Sequence, residues 1–229
     1  TQHQAQVQAF LQATFGDKNW QLTLPHGWGH ESYFAHADGS AYFVKLGVHP
    51  ERYDAMASLG LTPPLLAAGH LADGTSIIVQ PYIDGRNPSR ADYRAGLEQV
   101  AAVIHQTHHN PEVLRTLTPA PSSRYHDAGM AVLNDIRHRW QPLRAQVPET
   151  VDFVDQSLDN LAQQVGAFTG EGLVASHNDI CNANWLVTDE GRWYLIDLDA
   201  MSPDDPALDI GATLWWYYPP ELRPRFLTL

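Results

Sequence analysis

Two spacings of apolar residues divide this chain. Residues 5–15 carry Val7, Phe10, Leu11 and Phe15 at helical intervals, and Gly16 stops the run. Residues 32–46 then alternate apolar and polar positions on either side of Ala37-Asp38-Gly39-Ser40, the pattern of two strands joined by a tight turn. Residues 50–60 predict one short helix closed by Gly60, and residues 62–83 two more extended runs around Ala72-Asp73-Gly74. Past the turn-rich Asp84-Gly85-Arg86-Asn87-Pro88 the period becomes helical. Leu97, Val100, Val103 and Ile104 define one helix, and Met130, Leu133 and Ile136 a second. Val151, Val154, Leu158, Leu161 and Val165 define a third. Extended runs return only at 184–197, as a hairpin around Asp189-Glu190-Gly191. The pattern predicts a small strand-rich lobe (1–84), a hinge near residue 85 and a larger helical lobe (85–229) with one inserted hairpin.

The composition fits that plan. Of 229 residues, 44% are hydrophobic and 17% charged, enough apolar material for a packed core and too much for disorder. No run of about 18 apolar residues is present, so a membrane span is not expected. The N-terminal stretch lacks the basic-then-apolar order of a secretion signal. Cys181 is the only cysteine, which excludes an internal disulfide and points to the cytoplasm. A net charge of −12 repels phosphate backbones, which argues against a nucleic-acid partner and favours cations.

The chemistry concentrates in residues 176–199. His177, Asp179 and Asn184 have the spacing H-x-D-x-x-x-x-N of a kinase catalytic loop. Phosphoryl transfer needs a carboxylate to orient the attacking hydroxyl and take its proton. An amide oxygen a short loop later can hold Mg²⁺, and a second carboxylate must reach the metal. Asp197 closes the hairpin that begins just after Asn184, and Asp199 shares its face if the strand continues. Singly, each residue would read as a turn former, a core histidine or a helix cap; in this register the catalytic reading is preferred.

Taken with Asp205-Pro206 and Asp209-Ile210-Gly211, this segment resembles the aminoglycoside phosphotransferase/choline kinase family, small-molecule kinases of protein-kinase-like α+β fold. The resemblance implies ATP and Mg²⁺ as cofactors, Asp179 as catalytic base, Asn184 and Asp197 as metal ligands, and His177 and Asp209 as braces of the loop. Asn178 departs from the family's usual glycine. Ile104-His105 matches a Leu-His pair of the family, so the run His105, His108, His109 is read as structural. Cys181 is read as a buried small residue.

The strand-rich lobe would then clamp the nucleotide. Gly27 and Gly29 precede a strand and would let backbone N–H groups approach phosphate. Lys45, after alternating apolar residues, matches the strand lysine that pairs with phosphates. Its carboxylate partner from the next helix is expected to be Glu51, with Asp54 as the other candidate. Backbone around Gln80, Tyr82 and Ile83 would read the adenine. Trp215, Trp216, Tyr217 and Tyr218 are placed by the resemblance at the acceptor pocket, where aromatic faces and carboxylates favour a hydroxyl compound bearing an amine: an aminoglycoside, choline, thiamine or a similar amino alcohol. Family members commonly continue with further C-terminal helices that complete this pocket. The alternative from another class is a nucleotide-binding pseudokinase with a regulatory or scaffold role. A protein kinase fits less well, because Asp-Leu-Asp stands where Asp-Phe-Gly would and no Ala-Pro-Glu segment follows.

Overall fold

The computed structural model describes residues 3–25, 31–118, 122–168 and 171–229. In chain order the elements are α1 (Gln4–Phe15), β1 (Gln21–Thr23), β2 (Ser32–Ala37), β3 (Ser40–Leu46), α2 (Pro50–Ser58), β4 (Ala67–His70) and β5 (Ser76–Pro81). Then follow α3 (Arg90–Ala95), α4 (Leu97–His109), α5 (Pro111–Arg115), α6 (Ser122–Trp140), α7 (Val151–Ala167) and β6 (Val174–Ser176). The chain ends with β7 (Trp185–Val187), β8 (Trp193–Leu195), β9 (Ser202–Asp204), α8 (Ala207–Tyr217) and α9 (Arg223–Leu227).

The first five strands form one antiparallel sheet in the order β1-β2-β3-β5-β4. Its central hairpin turns at Asp38 (φ 46°) and Gly39 (φ 77°); a two-residue turn with both φ angles positive matches the twist of the strands it joins. Alternation then assigns the two faces. Tyr33, Ala35, Val44, Leu46, Ile77 and Val79 pack against Val7 and Leu11 of α1 and are almost wholly buried. Each of the Val, Leu and Ile side chains contributes roughly 1.5–3 kcal/mol by leaving water. The intervening residues Phe34, Phe43, Lys45 and Gln80 face the other way and line a cavity. The side chain that carries chemistry, Lys45, is therefore fixed on the cavity face by the same period that builds the core.

A second core joins the sheet to the helical part. Tyr53 and Met56 of α2 and Ile78 of β5 meet α4 and the β7–β8 hairpin in one cluster around Trp185, Leu195 and Leu198. The α6–α7 hairpin has a separate small core of Leu133, Trp140 and Leu158. Asp155 ties it by accepting from the Trp140 indole N–H at 2.8 Å and the Arg144 guanidinium at 2.7 Å.

The stretch 84–88, expected as a hinge, is hydrogen-bonded to the helical part. Arg86 exchanges two backbone hydrogen bonds with Val187, at 3.0 and 2.9 Å, and its guanidinium forks onto the Asp92 carboxylate at 2.6 and 2.8 Å. Asp92 itself closes a capping box with Ser89 at the start of α3. Gly85 allows this approach: a Cβ there would lie 3.0 Å from the Val187 carbonyl oxygen and from Leu186. Gly85→Ala is expected to cost about 1–3 kcal/mol, read as a lower urea midpoint, because backbone cannot yield as a flexible side chain can.

Candidate active site

The loop after β6 is built on one buried carboxylate. Asp209, 1% exposed in the first turn of α8, accepts from the backbone N–H of His177 (2.7 Å) and of Asn178 (2.9 Å) and from His108 Nε2 (2.8 Å). Burial alone would raise its pKa. The His108 side chain and the two backbone N–H groups outweigh that and hold it below the ordinary carboxylate value. His108, not His105, is thus the histidine of α4 that reaches the loop; His105 is exposed and stacks on His109. The signal was present in the sequence. Leu97, Val100, Ala101, Ile104, Thr107 and His108 form one buried stripe at helical spacing, which excludes His105.

His177 is fully buried. Its Nε2–H donates to the Ile196 carbonyl (3.0 Å), and Nδ1 accepts the Asp179 backbone N–H (3.3 Å). Burial lowers its pKa, so the neutral ring matches the one donor and one acceptor it needs. Both ring nitrogens of His177 are thus engaged by backbone, one of them by Asp179, the residue with which it was grouped as catalytic. Asn178 adopts φ 63°, a left-handed conformation that explains the family's glycine and that asparagine tolerates better than most residues. Its amide also donates to Ala200 O (3.2 Å) and Ser202 Oγ (2.7 Å), so the departure from glycine adds two anchors.

The exposed Asp179 and the buried Asn184 are joined directly. Asn184 Nδ2 donates to the Asp179 backbone carbonyl (2.7 Å) and to Asp179 Oδ2 (2.9 Å). Both amide hydrogens are then spent, and the amide oxygen is the atom available to a cation. Asn184 and Asp197 line the same cavity as Lys45, a space of about 630 Å³. Asp197 is half exposed and sits at φ 60°, where the chain turns sharply out of the β8 strand line into the 198–200 turn.

Lys45 is 6% exposed and bonds the carboxylates of Asp197 and Asp199 and, at 3.3 Å, the phenol of Tyr53. Burial works against its charge, but these three partners prevail and raise its pKa above the usual lysine value. Glu51 is not among them. It lies on the exposed side of the first turn of α2, one residue ahead of the buried pair Arg52 and Tyr53; a 100° step per residue turns it away. Asp54 is likewise exposed. The helix instead holds the Asp197–Asp199 turn without a carboxylate. The Arg52 guanidinium donates to Leu198 O (2.7 Å) and Asp199 O (3.2 Å), and the Tyr53 phenol accepts the Leu198 N–H at 3.4 Å. Burial pushes the Tyr53 phenol up to about 12, so it stays neutral. Tyr53→Phe is expected to cost about 1 kcal/mol in urea unfolding and to weaken ADP binding.

The rest of the expected clamp is partly placed. Gln80 is buried and donates to Pro63 O at 2.7 Å, while Tyr82 and Ile83 line the cavity mouth with Phe34. The Tyr82 N–H is given to Ala41 O (2.9 Å). Gly27 and Gly29 lie outside the described residues. Of the aromatic run, Tyr218 is buried, and Tyr217 stacks on Tyr93 with centroids 4.0 Å apart. Trp215 and Trp216 are 70% and 62% exposed. Cys181 is exposed at the start of the 182–184 turn, contrary to its reading as a buried residue.

A sheet with a buried lysine, set over a helical part with an Asp–Asn loop and an Asp-Leu-Asp turn, defines a protein-kinase-like phosphotransferase architecture. A sequence model of the phosphotransferase enzyme family (APH) matches residues 20–228, and the chain belongs to that family. Solved structures share the fold at low identity. Choline kinase LicA from Streptococcus pneumoniae superimposes with a TM-score of 0.64 at 15% identity, covering 100% of this chain and 80% of that one. Spectinomycin phosphotransferase APH(9)-Ia, in complex with ADP and spectinomycin, gives 0.60 at 18%, covering 97% and 78%. The GDP complex of aminoglycoside 2'-phosphotransferase-IIIa gives 0.57 at 14%, covering 98% and 82%.

Proposed function

We infer that the protein is an ATP- and Mg²⁺-dependent kinase that phosphorylates a hydroxyl of a small, amine-bearing molecule. One observation carries the reading: Lys45, Asn184 and Asp197 line a single cavity, and Asn184 hydrogen-bonds Asp179. Residues 1–84 act as the nucleotide clamp and 85–229 as the catalytic lobe, working in the cytoplasm.

Asp179 accepts the proton of the acceptor hydroxyl as its oxygen attacks the γ-phosphorus, and ADP leaves. Catalysis is positioning and electrostatics, with no covalent enzyme intermediate. Lys45, kept charged by its carboxylates, neutralises phosphate oxygens. The donor set fits a hard cation: an amide oxygen on Asn184 and a half-exposed carboxylate on Asp197. Mg²⁺, if held by Asn184 and Asp197, would supply neutralisation of phosphate charge. The backbone around Gln80 to Ile83 reads the base.

An amine-bearing acceptor is favoured by the net charge of −12 and by the surroundings of Asp179. Tyr217 stacks on Tyr93, and Trp216 is exposed one residue away. Aromatic faces near a carboxylate attract cations by about 0.5–2 kcal/mol each. The test is ADP release with Mg²⁺-ATP and a panel of aminoglycosides, choline, ethanolamine and thiamine. Turnover that depends on one acceptor supports the kinase. Mg²⁺-dependent nucleotide binding without turnover on any acceptor points to the pseudokinase, and absence of nucleotide binding overturns both.

A further inference from the structure

We propose that Asn87, in the linker between sheet and helices, is a positioning residue for the metal ligand Asn184. This rests on the kinase reading of the site. The Asn87 amide gives its two hydrogens to the backbone carbonyls on either side of Asn184: Ala183 O at 3.1 Å and Trp185 O at 2.9 Å. The carbonyl of Asn184 itself is held from the opposite strand by the Ile196 N–H at 2.9 Å. Three consecutive carbonyls are thereby fixed, two by one side chain that belongs to another part of the chain. An amide is required for this. Among side chains of that length, only asparagine carries two hydrogens on one short, planar nitrogen without a charge.

The consequence reaches beyond packing. Asn184 presents its amide oxygen to the cavity only while its Nδ2 stays on Asp179, a geometry set by the backbone at 183–185. Asn87 is welded in turn. Its neighbour Arg86 is bridged to Val187 and forked onto Asp92, and Gly85 lies against Leu186. Four residues before Asn87, Ile83 lines the cavity mouth. One short segment therefore connects the base-reading end of the cleft to the metal-binding end, so the linker is a strut of the metal site.

The test is calorimetry of ADP binding with and without Mg²⁺, on the parent chain, Asn87→Ala, Asn87→Ser and Asn184→Ala. Asn184→Ala sets the full size of the metal effect. For Asn87→Ala the Mg²⁺ concentration that half-saturates the metal-dependent gain is expected to rise about tenfold, the usual cost of losing a partner that orients a metal ligand. Metal-free ADP affinity should stay within about twofold of the parent, which a general loss of structure would not leave untouched. Asn87→Ser, with one hydrogen to give, should fall between. An unchanged Mg²⁺ half-point overturns the proposal, as does an equal loss of ADP affinity with and without metal. Failure of both Asn87 variants to fold also overturns it, since the role is then structural. If the parent itself shows no Mg²⁺-dependent gain, the kinase reading falls first and this assignment with it.

Discussion

Asp179→Ala should abolish turnover and leave ADP binding and folding nearly intact. The carboxylate is exposed, and its loss leaves Asn184 Nδ2 one of its two partners, the Asp179 backbone carbonyl at 2.7 Å. The Asp179 N–H also keeps its bond to His177, so the loop stays braced. What disappears is the group proposed to accept the hydroxyl proton, a contribution of about 10²–10⁴ in rate. Asp179→Asn sharpens the experiment, because it keeps the shape and removes only the basicity. A drop in kcat of that size with a melting temperature within about 2 °C of the parent, roughly the shift from 1 kcal/mol, would support the assignment. Retention of more than a tenth of kcat would refute it.

Asp209→Ala should be the most damaging change outside the cleft. The carboxylate is buried and takes three donors, from His108 and from the backbone of His177 and Asn178. Alanine leaves all three without an acceptor in the core, a cost on the order of 3–5 kcal/mol. Domains of this kind have about 5–15 kcal/mol in total, so the variant should melt roughly 6–20 °C lower. Acid should act in the same direction. The folded pKa of Asp209 lies below its unfolded value, so its stabilisation is complete above about pH 3.9 and is lost as pH falls through the lowered value. His177 is also depressed by burial; the unfolded chain takes up its proton first, and stability declines as pH drops below about 6.5. Urea titrations between about pH 2 and 8 should show a plateau above 6.5 and a fall below it. The parent's lead over Asp209→Ala should narrow at the most acid end. A flat profile would show that neither group is perturbed as the geometry implies.

Much of this was legible from local chemistry. Asp38-Gly39 encodes a turn by itself, because two adjacent residues supply the positive φ angles the hairpin needs. The alternation through β3 placed Val44 and Lys45 on opposite faces before any partner strand was known. The spacing of His177, Asp179 and Asn184 survived folding because the seven peptide units from His177 to Asn184 form one compact loop. Such features depend on contacts a few residues apart, and pattern is sufficient for them.

What the pattern did not contain was the phase of short helices and the meeting of distant segments. In α2, two turns offer Glu51 and Asp54 to Lys45, and a run of nine residues has too few apolar positions to say which side faces inward. Packing of Met56 and Tyr53 into the shared core decided it, and the carboxylate came from Asp199, more than 150 residues away in sequence. Asn87 reads as one more turn residue until Ala183 and Trp185 arrive beside it. The sequence by itself determined the loop spacing, the turns and the strand faces, because those follow from the backbone's local geometry. Only the tertiary structure chose the partners of Lys45, Asp209 and Asn184, because burying a charge or an amide is tolerable only where several separate segments converge to satisfy it.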